Sequence, residues 1–137
     1  MAGVPRLMVL VDTTVWIDFF SGRNEPHVVT LQELIEKEED LSLCGVILAE
    51  VLQGIRSDTD FIKTKEYFGD LIFLPMRQAI FLRSAEIYRS LRKQGITIRK
   101  PVDCMIASVA IEYDIHLLHN DRDFDHIAEH SNLRICD

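Results

Sequence analysis

Short apolar runs alternate along the chain with longer amphipathic stretches. The first run, residues 7–11, is continuous rather than alternating, which is typical of a strand buried on both faces of a parallel sheet. Further strands are predicted from similar apolar runs at residues 41–46, 71–74, 115–118 and 133–136.

The stretches between these runs have the caps and the hydrophobic spacing of helices. Thr13 is expected to cap a helix over residues 14–20, and Pro26 to begin one that extends to about residue 38. Residues 77–94 place apolar side chains on one face, and Gly95 is expected to end that helix. Further helices are predicted at residues 47–55, 57–69 and 102–113.

The chain is long and apolar enough to fold as one domain. The chain has 137 residues, of which 47% are hydrophobic, and a domain of this size buries roughly two-thirds of the surface that its unfolded chain exposes. Alternating strands and helices without internal repeats predict a single α/β domain over residues 1–137 with a mostly parallel central sheet.

Four acids are placed where such a sheet could use them. Ligands bind outside the carboxyl ends of the strands in an open α/β sheet, and Asp12 and Asp121 follow the first and fourth predicted strands. Glu50 and Asp103 instead lie near the starts of apolar helices, where neither is well placed for solvation. Each acid alone also fits a structural role, as a turn or capping residue, a first-turn acid favoured by the helix dipole, or a partner of an arginine.

The four acids converge at one sheet edge if the strand before Asp12 is adjacent to the strand before Asp121, an adjacency that spacing alone does not establish. Two ionised carboxylates about 5 Å apart repel by roughly 3 kcal/mol at an effective dielectric of about 20. A converged cluster therefore requires a cation or shared protons. Hard oxygen ligands with room for water favour Mg²⁺ or Mn²⁺ over zinc, and these ions suit phosphodiester hydrolysis.

The acidic segments together closely resemble the four acidic blocks of PIN-domain ribonucleases, in particular the VapC-type toxins of bacterial toxin–antitoxin pairs. The segments are VDTTVWID at residues 11–18, AEVLQG at 49–54, PVDCMIA at 101–107 and NDRDF at 120–124. Their order and separations also match, and the resemblance extends from about residue 7 to residue 127.

This resemblance implies a PIN-like α/β/α sandwich and a metal-dependent endoribonuclease that acts as the toxin of such a pair. It makes Asp12, Glu50, Asp103 and Asp121 the catalytic acids and the ligands of Mg²⁺, with Mn²⁺ as a substitute. Thr13 becomes the hydroxyl that supports the site. RNA is the implied substrate and a cognate antitoxin the implied partner, and we also expect a homodimer.

Two positions in the last block stay open at this point. His119 stands where similar proteins often have Thr or Ser, two residues before the acid, so it could alter a hydrogen bond beside the site. Asp123 lies two residues beyond Asp121 and either assists the site or caps the helix that follows.

The overall charge of −7 at first argues against a nucleic-acid partner. The positive charges, however, are concentrated in one segment. The segment 77–100 has seven basic residues and the single acid Glu86, so its net charge is +6. Arg89, Arg92 and Lys93 are therefore candidates for binding RNA phosphate. The alternative is an exposed helix whose polar face happens to be basic.

Large apolar residues are concentrated in the first predicted helix. Trp16, Ile17, Phe19 and Phe20 give more apolar surface than one buried stripe needs. They either all belong to the core or form part of a groove for a helix of the antitoxin.

The compartment follows from the cysteines and from the N-terminal run. Cys44, Cys104 and Cys136 are odd in number and widely spaced, which is typical of a reducing compartment. The first apolar run is too short for a signal-peptide core or a membrane span. We therefore expect a cytoplasmic location and no membrane partner.

Two other functions are considered beside the nuclease. A receiver-type signalling domain shares the length and the acids at strand ends, but it should have paired acids after the first strand, whereas Thr13 and Thr14 follow Asp12. A non-catalytic RNA-binding module would use the basic segment alone and would leave the buried acids unexplained.

Overall fold

A computed structural model describes residues 7–136 of the chain, which contain a sheet of five strands. The strands are β1 (Met8–Val11), β2 (Asp40–Cys44), β3 (Ile72–Leu74), β4 (His116–Leu118) and β5 (Arg134–Ile135). Their order in the sheet is β3-β2-β1-β4-β5, and every pair of neighbours is parallel. The parallel sheet predicted from the continuous apolar runs is confirmed.

Seven helices lie between these strands in the described part of the chain. They are α1 (Thr13–Phe20), α2 (Pro26–Glu36), α3 (Gly45–Gln53), α4 (Asp58–Gly69), α5 (Gln78–Lys93), α6 (Pro101–Glu112) and α7 (Arg122–Glu129). Together with the sheet they form the expected α/β/α fold. None of the helices within residues 7–136 is both long and apolar enough to cross a membrane.

The start of α1 differs from the sequence prediction by one residue. Asp12, rather than Thr13, caps the helix, because its carboxylate accepts a hydrogen bond from the backbone N–H of Thr14. Thr13 is consequently the first helical residue, and its hydroxyl donates to Glu50 instead.

The end of the second strand and the end of α5 can also be compared with the sequence prediction. The second strand ends at Cys44 and not at residue 46, because α3 begins at Gly45. Gly95 follows the end of α5 with a φ of +79°, a left-handed conformation that glycine adopts without the steric cost of a side chain. Its predicted role in ending that helix is confirmed.

The core contains Trp16 of α1, a residue that the sequence could place either in the core or in a surface groove. Trp16 is fully buried, and its ring contacts Phe68 at 5.1 Å and stacks on Phe20 at 5.8 Å between centroids. Phe20 and Ile17 are 42% and 46% exposed. Phe20 and Ile17 can therefore line a groove on this face. For Trp16 the groove alternative is wrong, because this residue belongs to the core.

We expect Trp16→Ala to lower the free energy of unfolding by about 3–5 kcal/mol, because it removes a fully buried ring from a packed cluster. Ile17→Ala, one residue away but half exposed, is the matched control and should cost about 1 kcal/mol or less. Urea unfolding followed by circular dichroism measures both changes. Equal losses in the two variants would contradict the burial assigned to Trp16.

Candidate metal centre

The edge of the sheet between β1 and β4 positions the site. Val11 pairs with Leu118 at the ends of these strands, and the backbone N–H of Asp12 donates to the carbonyl of Leu118 at 2.9 Å. The strand order reverses here, since β2 lies on one side of β1 and β4 on the other. The adjacency on which convergence of the acids depended is therefore present, at the switch point where such sheets bind ligands.

Three carboxylates lie close together at this edge. Asp103, Asp121 and Asp123, here called the acidic trio, each place an oxygen within 4.8 Å of the others. Asp103 is in the first turn of α6, and Asp121 caps α7 by accepting the backbone N–H of Asp123 at 2.9 Å. Asp103 and Asp123 are only 3% and 4% exposed. Asp123, left open by the sequence, is thus part of the cluster.

The other two predicted acids lie outside this tight group. Asp12 is buried, and its Oδ2 accepts the hydroxyl of Thr14 at 2.8 Å. Glu50 accepts the hydroxyl of Thr13 at 2.7 Å. The charges of Asp12 and Glu50 both contribute, after burial, to raising the pKa of the Cys44 thiol to about 11. The structure therefore brings Asp103 and Asp121 together with Asp123, and holds Asp12 and Glu50 by hydroxyl groups near Cys44.

The electrostatic cost of the arrangement is concentrated on Asp103. Burial, followed by the negative charges of Asp12, Asp121 and Asp123, raises its pKa to about 7, although Lys100 acts in the opposite direction. Burial also raises the pKa of Asp12. A divalent cation would favour the ionised form of these groups.

One carboxylate oxygen shows that the site fits a cation. Asp103 Oδ2 is buried and has no hydrogen-bond partner among residues 7–136. A buried acceptor without a partner costs roughly 1–3 kcal/mol, and more when it is charged. A donor set made only of carboxylates is the type that Mg²⁺ and Mn²⁺ prefer.

Two basic residues compensate the outer side of the trio. Arg99 places Nη2 at 3.1 Å from Asp121 Oδ1 and Nε at 3.2 Å from Asp123 Oδ2. Lys100 Nζ lies 4.0 Å from Asp121 Oδ2. Both belong to the basic segment 77–100, and their position directly before Pro101 and the acid-bearing helix is the sequence signal for a role at the acids.

His119 supports the backbone beside the trio. Its Nδ1 accepts the backbone N–H of Asp121 at 3.0 Å, and its Nε2 lies 3.3 Å from a carboxylate oxygen of Asp125. The ring also packs on Phe124, with 5.1 Å between the centroids. His119 therefore orients the turn that carries Asp121, which is the hydrogen-bonding role that the sequence had left open.

Comparisons with known proteins agree with this fold. Residues 9–130 match the PIN domain family. VapC ribonuclease Mb1587 of Mycobacterium bovis and Ribonuclease VapC11 of Mycobacterium tuberculosis are each 33% identical over 129 residues, which cover 93% of this chain and 96% of the relative.

Solved structures show the same fold at lower identity. VapBC2 from Rickettsia felis, bound to a DNA fragment from its promoter, matches with a TM-score of 0.74 and 19% identity, over 95% of this chain and 98% of that chain. VapBC-1 from nontypeable Haemophilus influenzae matches with a TM-score of 0.73 and 22% identity, over 96% and 98% of the two chains.

The raised pKa of Asp103 predicts a pH-dependent stability of the metal-free protein. The pKa of Asp103 is 3.8 in the unfolded chain and about 7 in the folded protein. Because the folded state holds the proton more tightly, the free energy of unfolding falls as the pH rises between these two values. Asp103→Asn removes this penalty, so its gain in unfolding free energy should be larger near pH 8 than near pH 5, by about 2 kcal/mol.

Urea unfolding in the presence of a chelator measures this gain. The control is Glu66→Gln, which removes one negative charge from an exposed position on α4 and should show no such pH dependence. A gain from Asp103→Asn that is the same at both pH values would mean that Asp103 ionises as freely in the folded protein as in the unfolded chain.

Proposed function

This chain belongs to the PIN-domain family, as its match over residues 9–130 shows, and we propose that it is an endoribonuclease toxin that uses a divalent metal ion. Its relatives at 33% identity are named as VapC ribonucleases, and their aligned regions cover nearly the whole chain. RNA phosphodiester bonds are the proposed substrate. The observation that carries the proposal is the acidic trio with its unpartnered Asp103 oxygen.

Mg²⁺ is the proposed ion, with Mn²⁺ as a substitute, because both prefer oxygen ligands and retain water. Asp103 and Asp121 are the proposed ligands at the centre, and Asp123 is a third acid beside them. When bound, the ion would activate water and neutralise charge on the phosphate under attack.

The other two acids are proposed to complete the site. A threonine hydroxyl fixes one carboxylate oxygen of Asp12 and one of Glu50, which orients both acids. Orienting acids through neighbouring hydrogen bonds is the usual way in which metal sites are tuned. Thr13 thereby has the supporting role that the resemblance implied.

The two alternative functions are not favoured. A receiver-type domain would not account for the match to the PIN domain family. A non-catalytic RNA-binding module gives no reason to bury Asp103 beside three other acids, an arrangement that raises its pKa to about 7.

An antitoxin is the proposed partner, because the solved structures with this fold include two VapBC structures and a toxin–antitoxin complex from Klebsiella pneumoniae. A groove of about 750 Å³ beside α1 and α4 is lined by apolar side chains, of which Ile17 and Phe20 are exposed, and by charged residues that include Lys63. It includes Ile17, Phe20, Ile55, Tyr67 and Lys63. This combination suits one apolar face of an amphipathic helix, so we place the antitoxin here.

A homodimer is also proposed, on a different surface. Ile72, Phe73 and Leu82, on β3 and the first turns of α5, are 36%, 52% and 57% exposed. β3 is an edge strand of the sheet, and exposed apolar side chains at an edge favour contact with another chain.

The nuclease assignment is tested with purified protein and single-stranded RNA. Wild type should cleave in the presence of Mg²⁺ or Mn²⁺ and stop when a chelator is added. Asp12→Asn and Asp103→Asn should each lower the rate by roughly 100-fold or more, because each removes charge from the site. The exposed variant Glu66→Gln should cleave as wild type does.

Folding of the inactive variants is checked by far-ultraviolet circular dichroism, which should be unchanged. Full activity of Asp103→Asn, in protein free of wild-type contamination, would refute the site. Cleavage that persists at the same rate in chelator would refute the metal.

The antitoxin groove is tested by the double variant Ile17→Ala with Phe20→Ala. Loss of two exposed apolar side chains should weaken binding of the cognate antitoxin about tenfold or more, measured by calorimetry, while RNA cleavage stays near wild type. The control is Ile62→Ala, because Ile62 lies on α4 beside the groove and is 54% exposed but does not line it. If the control weakens binding as much as the double variant does, the antitoxin binds elsewhere.

A further inference from the structure

A shallow groove between α5 and α6 lies next to the metal centre. It has a volume of about 280 Å³, and its lining includes Phe81, Tyr88, Arg89, Arg92 and Met105, together with Pro101. Pro101 is the first residue of α6 and lies two positions before Asp103. The groove and the acidic trio therefore share the beginning of α6.

The relative direction of the two helices brings the basic end of α5 to the site. Arg83, in the first half of α5, pairs with Glu112 at the end of α6, with 2.6 Å between Nε and Oε1. The two helices thus run in opposite directions. The last turns of α5, which carry Arg89 and Arg92, consequently lie beside the first turn of α6.

The lining combines an aromatic ring with positive charge that the fold does not neutralise. The guanidinium of Arg92 lies over the ring of Tyr88, 5.6 Å from its centroid. Within residues 7–136, the guanidinium groups of Arg89 and Arg92 form no ion pair, whereas Arg83, Arg99 and Arg134 each contact a carboxylate. Two uncompensated cations therefore remain available at the groove.

We propose that this groove binds a nucleotide of the RNA that flanks the bond to be cut, which deepens and depends on the nuclease function proposed above. The base stacks on Tyr88 and on the guanidinium plane of Arg92, and Arg89 and Arg92 bind the adjacent phosphates. Aromatic rings and arginine planes are the groups on which proteins stack unpaired bases.

Charge favours RNA over a protein as the occupant. A protein that covered this apolar groove would enclose two arginines whose charge the fold leaves unpaired, at a high desolvation cost unless it supplied matching acids. A phosphate backbone supplies negative charge at every nucleotide. Lys100 directly precedes Pro101, which lines the groove, and its Nζ is 4.0 Å from Asp121 Oδ2, so it adds positive charge beside the acids.

The sequence makes Arg89, Arg92 and Lys93 equal candidates for binding phosphate, whereas the structure places only the two arginines at the groove. Arg89 and Arg92 line the groove, whereas Lys93, adjacent in sequence and also exposed, does not. Lys93→Ala is therefore a matched control for Arg92→Ala, because it removes the same charge from the same helix without touching the groove.

The first test measures binding of a fluorescein-labelled single-stranded RNA of about ten nucleotides by anisotropy, with a chelator present to prevent cleavage. Arg89→Ala and Arg92→Ala should each weaken binding about fivefold or more and reduce its salt dependence. Lys93→Ala should change the affinity less than about twofold. Equal losses for Arg92→Ala and Lys93→Ala would overturn the proposal, because long-range attraction alone would then explain them.

The second test detects the stacked base directly. The same RNA is made with an abasic residue at each position in turn, and wild type should lose about fivefold or more in affinity at one of these positions. Tyr88→Phe keeps the ring and should retain that loss. Tyr88→Leu lacks the ring and should bind the intact and abasic RNAs equally.

Cleavage assays on the same proteins separate failure of this site from failure of the nuclease function. If wild type cleaves RNA but Tyr88→Leu still distinguishes the abasic position, the groove is not the nucleotide site and the nuclease function stands. If Tyr88→Leu changes the sedimentation coefficient without changing RNA affinity, the groove is a protein interface and the proposal is wrong. Absence of both binding and cleavage in wild type would refute both.

Discussion

Mutual repulsion within the acidic trio is the constraint on which the rest of the site depends. Carboxylates about 5 Å apart repel by roughly 3 kcal/mol per pair at an effective dielectric of about 20, and here three place oxygens within 4.8 Å of one another. Arg99 offsets the charge of Asp121 and Asp123, but no hydrogen-bond donor in the described chain reaches Asp103 Oδ2. A cation at that oxygen would therefore stabilise the fold and complete the site through the same interaction.

The sheet creates this constraint through its strand order. β1 and β4 end side by side, and the hydrogen bond from Asp12 N–H to the carbonyl of Leu118 extends their pairing to the residue that caps α1. Asp121 caps α7 from the neighbouring strand end. Each cap thus does two things, since it begins a helix and brings negative charge to the same edge.

The sequence predicted the elements well because continuous apolar runs and turn residues act locally. It also placed Asp12, Glu50, Asp103 and Asp121 by resemblance, and the structure brings Asp103 and Asp121 together. The inclusion of Asp123 could not be derived, because its direction depends on how Asp121 caps α7. The burial of Trp16 likewise depends on Phe68, more than fifty residues away, whereas its partner Phe20 stays half exposed.

The central claim is that the acidic trio holds a divalent ion at the unpartnered oxygen of Asp103. A crystal structure of the protein grown with Mn²⁺, with anomalous scattering recorded, tests it most directly. The account predicts one strong anomalous peak at coordination distance, about 2.1–2.2 Å, from an oxygen of Asp103 and from Asp121. Strong anomalous peaks that all lie away from these oxygens, in a crystal saturated with Mn²⁺, would contradict it.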